Sequence, residues 1–283
     1  MNVADAMTPR SDVVSVEIPG TREDVLEYLQ EKGFSSVPIV RQDEDGETFR
    51  GLVTRESLIE QPAEDQLAML VREVPTIAPS ATLTELAELA IESGERRVPV
   101  IEDDELVGIV TVTDVIRAIA GGETDGSTEV GGLATTEVNT VYRETPLSVA
   151  ERQLDYAGVP YAVVLDDDGR QAGMLTEVDL IEVARVVQGE SDPGDAVANQ
   201  DDEWMWEGIK AVGSRSVPTL NVEIPSEPVA EIMTEDLVTV PSRKTARGAA
   251  QLMISNDIEQ IPLLSGDELA GVVRDVDLLE ALV

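Results

Sequence analysis

The sequence predicts an α/β protein built from four copies of one small unit, and three regularities support this prediction. A short apolar strand with a hydrophobic-Pro step occurs four times, and each time a glycine that opens a second apolar strand follows it. The prolines are separated by 61, 61 and 102 residues, so a longer connection precedes the last copy. The four steps are Val37-Pro38-Ile39, Val98-Pro99-Val100, Val159-Pro160-Tyr161 and Ile261-Pro262-Leu263, and the glycines are Gly51, Gly108, Gly173 and Gly271.

Each copy is predicted to run strand, helix, strand, strand, helix. In copy two, Thr82 and Glu85 form a capping box at the helix start, and Gly94 marks its end. The corresponding helices begin at Thr21, Thr145 and Ser242, and Gly33 and Gly158 end the first two of them. The first strands carry Ser15, Thr76, Thr140 and Thr239, and the last helices begin near Arg55, Thr113, Glu177 and Asp275.

The copies are expected to pair, because one such unit is too small to bury its own sheet. The Pro-to-Gly distance alternates between 13 and 9 residues, so odd and even copies form two types, and copies one with two and three with four are the expected pairs. The predicted bounds are 1–62, 63–122, 128–187 and 229–283, with a linker at 188–228. The linker contains Trp204-Met205-Trp206, which we interpret as a strap across the seam of two modules or as a patch that docks a partner.

The composition excludes several classes of function. The chain has 57 Asp+Glu against 20 Lys+Arg, a formal net charge of -37, and neither His nor Cys. Ser/His/Asp and Cys/His catalysis, ordinary zinc sites and disulfides are therefore absent, and the charge disfavours nucleic acid and anionic membranes. With no apolar run of membrane-spanning length and no secretory signal, we expect a cytoplasmic protein, and its acidity is typical of an extreme halophile.

The polar residues after each glycine are the candidates for ligand binding, because they fall where a strand meets a helix N-terminus. Free N–H groups and the helix dipole favour an anion there, a Thr hydroxyl can donate to phosphate, and a carboxylate three residues on can accept from a ribose. The alternative is that Thr and Asp only cap the helix. The pattern is complete at Thr111 with Asp114 and at Thr176 with Asp179; copy one has Thr54 with Ser57, and copy four has Arg274 with Asp277. Arg274 could bind a phosphate, or it could form a salt bridge with Asp277.

Taken together, the four units resemble the CBS domain, first recognised in cystathionine β-synthase, and the pairing resembles two Bateman modules. The four-repeat plan is similar to that of the gamma subunit of AMP-activated protein kinase, which implies a disc-like assembly and adenosine nucleotides in clefts between paired repeats. The resemblance further implies that residues of the first strand and of the hydrophobic-Pro step line an adenine pocket. These residues are Thr76, Val98 and Pro99 in copy two and Thr140, Val159 and Pro160 in copy three.

Arg96 and Arg97 are the predicted phosphate ligands of copy two, because two adjacent cations can neutralise a diphosphate or triphosphate. The alternative is that both are solvated and balance nearby carboxylates such as Glu92 and Glu95. The stretch taken to correspond in copy three, 155–158, has no cation but contains an aromatic ring, which favours a monophosphate or S-adenosylmethionine.

We therefore expect a regulatory sensor of AMP, ADP or ATP that acts on a separate protein, with no catalytic residues and no metal site. One rival is an enzyme that holds Mg²⁺ at Asp103 and Asp104 or at 166–168, although acidic hairpin turns are ordinarily solvated. The other is a scaffolding protein with unoccupied clefts. The sequence leaves open the regulated partner and whether the chain forms a homo-oligomer.

Overall fold

The structure is a computed structural model that describes residues 1–31, 36–43, 46–54, 57–58, 64–183, 185–189, 219–266 and 268–283. It confirms the α/β class and the four repeated units, each with a small sheet and flanking helices. The predicted glycine stop at Gly33, the helix start near Arg55 and the segment Trp204-Met205-Trp206 lie outside the described residues.

The described helices and strands follow one another in the predicted order. The α-helices are α1 (Val3–Ala6), α2 (Arg22–Glu31), α3 (Leu67–Leu70), α4 (Leu83–Ser93), α5 (Val112–Gly121), α6 (Leu147–Ala157), α7 (Glu177–Val183), α8 (Ala246–Asn256) and α9 (Asp275–Leu278). The strands are β1 (Thr8–Pro9), β2 (Val16–Glu17), β3 (Ser36–Asp43), β4 (Gly46–Thr54), β5 (Arg97–Glu102), β6 (Glu105–Thr111), β7 (Thr140–Tyr142), β8 (Tyr161–Leu165), β9 (Gln171–Thr176), β10 (Arg185–Gly189), β11 (Thr219–Glu223), β12 (Val240–Pro241), β13 (Gln260–Ser265) and β14 (Glu268–Arg274).

Each copy has a sheet around a central antiparallel hairpin. The sheet orders are β2-β3-β4 in copy one, β7-β8-β9 in copy three and β12-β13-β14 in copy four. In copies one and three the first strand pairs in parallel with the second, whereas in copy two it is reduced to one bridge between Ile77 and Val100. The helix between two parallel strands makes this crossover possible.

The helix boundaries follow the capping signals, with two corrections, the first being that α6 begins at Leu147 with Pro146 as its N-cap and not with Thr145. The Thr82–Glu85 capping box and the left-handed Gly94 enclose α4 as predicted. In copy four the cap is Thr245 and not Ser242, because the backbone N–H of Lys244 donates to Pro241 O at 2.8 Å and forms a turn there. The Thr245 hydroxyl then accepts from Gly248 N at 3.2 Å and starts α8.

The copies exchange bridges through their N-terminal segments. The strand β1 of copy one pairs with β6 of copy two, and Arg72, near the start of copy two, bridges to Leu52 of copy one. In the same way Thr135 bridges to Val272 of copy four, and Thr234 bridges to Met174 of copy three. Within the first unit the exchange therefore joins copy one with copy two.

The exchanged segments explain the repeated glycine, which lies within the second strand of the hairpin and does not open it as predicted. A Cβ added at Gly108 would lie 2.6 Å from the carbonyl oxygen of Thr8 and 2.7 Å from the sulfur of Met7. At Gly173 the same Cβ would lie 2.8 Å from Thr234 O. Only glycine lets the exchanged segment approach the strand so closely.

The chain forms two compact units. The first contains Met1–Thr135, Val240–Leu263 and Val272–Val283, and the second contains Thr136–Thr239 and Leu264–Gly271. In the first unit, α5 of copy two packs against α8 of copy four, and the Gln251 amide donates to Ala120 O at 3.0 Å. The helix α4 packs against the C-terminal 3₁₀ turn, Leu279–Leu282.

Each unit has a described apolar core. In the first unit, Val25, Val37, Ile39, Val53 and Leu67 form a buried cluster between the helices and sheet of copy one. In the second unit, the corresponding cluster of copy three contains Leu147, Ala150, Leu154, Val164, Leu175 and Val229. The linker region contributes the antiparallel pair β10 and β11, which the sequence did not predict.

Candidate functional site

Two of the residues predicted for copy two lie together at one end of its sheet. Arg97 opens β5 and lies opposite Thr111, the last residue of β6. The parallel bridge from Ile77 to Val100 places the exposed Thr76 further along β5, level with Pro99. The end with Arg97 and Thr111 therefore carries a hydroxyl, a cation and the N-terminus of α5, a ten-residue helix.

Behind these polar groups lies the hydrophobic-Pro step. Val98 and Pro99 follow Arg97 in β5, and both are buried. As neighbours in a strand they face opposite sides of the sheet, whereas Arg96 is exposed and Arg97 is half-buried. The buried Val98-Pro99 step anchors β5, which begins at Arg97 and directly follows Arg96.

Thr111 and Asp114 form a complete capping box at the start of α5. Oδ2 of Asp114 accepts from Thr111 N at 2.9 Å and from its hydroxyl at 2.8 Å, and Asp114 N donates to Thr111 Oγ1 at 3.3 Å. Oδ1 of Asp114 accepts from Nη1 of Arg117 at 2.7 Å. Thr82 and Glu85 form the same box on α4, away from this end of the sheet, so a capping box by itself does not identify a ligand site.

Copy three contains the equivalent box with one difference. Oδ2 of Asp179 accepts from Thr176 N at 2.7 Å and from its hydroxyl at 2.8 Å. Among the residues that the structure describes, Oδ1 of Asp179 has no counterpart of Arg117.

The structure corrects the alignment of copy three. In copy two the residue opposite Gly108 is Val100, which directly follows the proline. In copy three Gly173 lies opposite Val164, four residues after Pro160. The hydrophobic-Pro step Val159-Pro160 therefore precedes strand β8 and does not lie in it, and the predicted alternation of two hairpin types is wrong.

Pro160 takes the place that Arg96 has in copy two. Its carbonyl accepts from Glu177 N, at the start of α7, at 3.0 Å, just as Arg96 O accepts from Val112 N at 3.0 Å. The buried Tyr161 is then the counterpart of Arg97, and the stretch 155–158 is not. Aligning the copies on the glycine that ends the helix, Gly94 or Gly158, gives this register directly.

Thr140 lies at the start of β7, opposite Val163 of β8. It also lines an open cavity of about 550 Å³ with Tyr142, Leu165 and Asp167. This cavity lies at the carboxyl end of β8, whereas Thr176 lies opposite Tyr161, the first residue of that strand. The cavity and the capping box of copy three are therefore separate features.

Copies one and four depart from the Thr–Asp pattern in different ways. In copy one, Thr54 N donates to the hydroxyl of Ser57 at 3.0 Å, and Ser57 N donates to Thr54 Oγ1 at 3.1 Å, so a neutral side chain replaces the carboxylate. In copy four, Nη2 of Arg274 lies 2.6 Å from Oδ1 of Asp277, and its Nε lies 3.1 Å from Oδ2. Of the two roles considered for Arg274, the structure shows the salt bridge with Asp277.

Arg96 is engaged by two acidic residues of copy four. Its Nη1 and Nη2 donate to the two carboxylate oxygens of Asp275 at 3.0 and 2.6 Å, and Nη2 lies 3.1 Å from Glu259 Oε1. Burial by itself would lower the pKa of Arg96, but the hydrogen bonds and charge of Asp275, with the charge of Glu259, raise it. Arg96 is therefore a fixed cation with carboxylate partners.

Three residues at these sites were missed by sequence reasoning. Arg117 could have been found, because a cation three residues after Asp114 lies on the same helix face. Asp275 and Glu259 could not, because they are far along the chain from Arg96 and only tertiary packing brings them to it. Within the described ranges, no cluster of three or more acidic residues could hold a metal ion, and no helix is long and apolar enough to cross a membrane.

The sequence matches the model of the CBS domain over residues 3–64, 67–121, 130–185 and 229–283. It is 24% identical to an uncharacterised protein of Methanocaldococcus jannaschii, MJ1404, over 98% of this chain and 61% of that protein. The chain thus spans less than two thirds of the length of this relative, and its match to MJ1232 covers 37% of that protein.

Two solved structures are similar over the full length of both chains. A conserved protein from Pyrococcus horikoshii is 27% identical, with a TM-score of 0.71. Protein MJ1225 from Methanocaldococcus jannaschii, whose description relates it to the gamma subunit of AMP-activated protein kinase, is 18% identical, with a TM-score of 0.67, and shows the shared fold. The matched ranges cover most of the chain, and with four such domains the protein belongs to the CBS domain family.

Proposed function

We propose that this protein is a regulatory subunit that binds adenosine nucleotides and acts on a separate protein. The observation that carries the proposal is the end of the copy-two sheet, where Arg97 lies opposite Thr111, the residue that caps the N-terminus of α5. A hydroxyl, a guanidinium and the positive end of a helix dipole together favour a phosphate group. Membership of a family of paired repeats supports a ligand-sensing role.

In copy two the roles follow from position. The Thr111 hydroxyl and the N–H groups at the start of α5 would hold the phosphate nearest the ribose, Arg97 would add charge, and Asp114 would accept from the ribose hydroxyls. Thr76 and the hydrophobic-Pro step would border the base. Asp114 can accept a hydrogen bond from the ribose through Oδ1 only if the ribose replaces Arg117 as the partner of this oxygen.

Copy three is the second proposed site, with Thr176 and Asp179 in the same roles, whereas Thr140 lines the separate cavity and Val159 and Pro160 precede β8. It has Tyr161 where copy two has Arg97, so a monophosphate or S-adenosylmethionine suits it better than a triphosphate. Copy four is closed to a ribose by the Arg274–Asp277 salt bridge, and copy one lacks the carboxylate.

Regulation would arise from a difference in affinity between two arrangements of the copies. A nucleotide stabilises the arrangement that it binds more tightly, and only that difference can alter the activity of a partner. This mechanism requires no catalytic residue in the chain. The alternative function is scaffolding with unoccupied clefts, and the observation that favours it is that the capping boxes of copies two and three are already satisfied by internal hydrogen bonds.

Titration calorimetry of the full chain against AMP, ADP, ATP and S-adenosylmethionine in multimolar KCl tests the proposal. Asp114→Ala should weaken nucleotide binding by about 1–3 kcal/mol, because a ribose acceptor is lost. Glu85→Ala is the matched control, since it removes the carboxylate of an equivalent capping box on α4. Equal affinities for the two variants would make Asp114 a helix cap only, and no heat with any ligand would favour scaffolding.

A further inference from the structure

Arg96 belongs to copy two by its backbone and to copy four by its side-chain partners. Its carbonyl oxygen accepts from Val112 N, the first residue of α5, so its Cα lies beside the proposed phosphate position. Its guanidinium instead forms a two-point hydrogen bond with Asp275, at the start of α9. A cation adjacent to the copy-two site is thus already bound to a carboxylate in the resting protein.

The partner carboxylate is buried. Asp275 is 4% exposed, and its Oδ1 also accepts from Val276 N at 2.7 Å. Glu259, the other partner of Arg96, has a side chain that is 63% exposed, so its contribution is weakened by solvent screening. Asp275 is therefore the residue that holds Arg96 in place.

Moving Arg96 to a ligand would leave Asp275 as a buried carboxylate without its cation. The Arg96 side chain is 43% exposed but Asp275 is buried, so removal of the cation is unfavourable because it leaves a poorly solvated carboxylate whose charge is not compensated. A second or third phosphate of a ligand could bind Arg96 only if the Arg96–Asp275 ion pair broke. The new contact with phosphate would therefore add little net affinity. A ligand with one phosphate, held by the α5 N-terminus, does not require the exchange.

We propose that Asp275 is a specificity-determining residue of the copy-two site: by holding Arg96 it removes the preference for additional phosphates that two adjacent arginines would otherwise create. The inference rests on the proposed function, since it concerns the ligand of the same site. The native protein should then bind AMP and ATP at copy two with similar affinity, although the sequence places Arg96 and Arg97 side by side.

The test compares AMP and ATP by calorimetry for the native chain, Asp275→Asn, Glu259→Gln and the double variant Asp275→Asn/Arg96→Gln. Asp275→Asn keeps the side-chain size and releases Arg96, so its affinity for ATP should rise at least about tenfold while its affinity for AMP changes less than about threefold. Glu259→Gln should have a much smaller effect, and the double variant should lose the gain. An unchanged ATP-to-AMP ratio in a folded Asp275→Asn variant would overturn the inference.

Arg96→Gln alone provides a second test that does not depend on the folding of Asp275→Asn. Because Arg96 does not contact the ligand in the native protein, this variant should keep the ATP-to-AMP ratio. A selective loss of ATP affinity would show that Arg96 serves the phosphates directly and would refute the inference while leaving the proposed function intact. If the native chain binds neither nucleotide, the proposed function itself fails.

Discussion

Replacing Gly108 with alanine should destabilise the protein, because the N-terminal segment of copy one crosses β6 at this residue. The new methyl carbon would lie 2.6 Å from Thr8 O and 2.7 Å from the sulfur of Met7, both well inside van der Waals contact. The sulfur can move, but the carbonyl oxygen belongs to β1 and moves only if this strand shifts away from β6. Overpacking of this kind costs about 1–3 kcal/mol, and disturbed ladder hydrogen bonds add about 1 kcal/mol.

The expected loss of about 2–4 kcal/mol corresponds to a fall in Tm of roughly 4–12 °C for a chain of this size. Circular dichroism melts in multimolar KCl measure it. Gly173→Ala should give a similar but smaller loss, because its nearest contact, Thr234 O, is at 2.8 Å. Gly132→Ala is the control, since no atom lies within 4 Å of its added Cβ. If Gly108→Ala has the same Tm as Gly132→Ala, the close approach of the exchanged segment is not the reason why position 108 requires glycine.

Two further predictions concern charge. The hydrogen bond from Arg10 lowers the pKa of Glu47, so this carboxylate contributes stability that is present above its ordinary pKa and is lost as pH falls through the lowered value. Glu47→Gln should therefore make the acid limb of the stability profile less steep, and an unaltered profile would contradict this. The net charge of -37 predicts that Tm rises with KCl between 0.1 and 2 M, since the screening length falls from about 10 to about 2–3 Å; a flat or falling Tm would contradict it.

Much of the fold could be predicted from local signals. Capping residues, left-handed glycines and apolar strands act within a few residues, so the βαββα order and the position of α4 follow from them. The predicted strand register of copy three was wrong, because it relied on proline, which is an ambiguous signal. Proline was a poor marker of register in copy three, because it can stand before a strand as well as within one, whereas Gly158 marks the helix end by its backbone conformation.

The candidate site shows the same division. The sequence identified the Thr–Asp pairs of copies two and three, and it posed the two roles of Arg274 without choosing between them. Deciding between these roles required the positions of both side chains. The structure places Nη2 of Arg274 2.6 Å from Oδ1 of Asp277, which identifies the salt bridge. The N-terminal crossing of copy two by Met7 and Thr8 was not foreseen either, since nothing near Gly108 in the chain reports on residues a hundred positions away.

By itself the sequence determined that the chain consists of four repeats and that histidine and cysteine chemistry is excluded, because composition, spacing and caps are properties of short stretches. Only the tertiary structure decided that Arg96 is bound to Asp275, because the two residues are 179 positions apart and meet through the packing of copy two on copy four. Electrostatic partners act over a few ångströms in space, and a linear pattern carries no information about which distant residues will share that space.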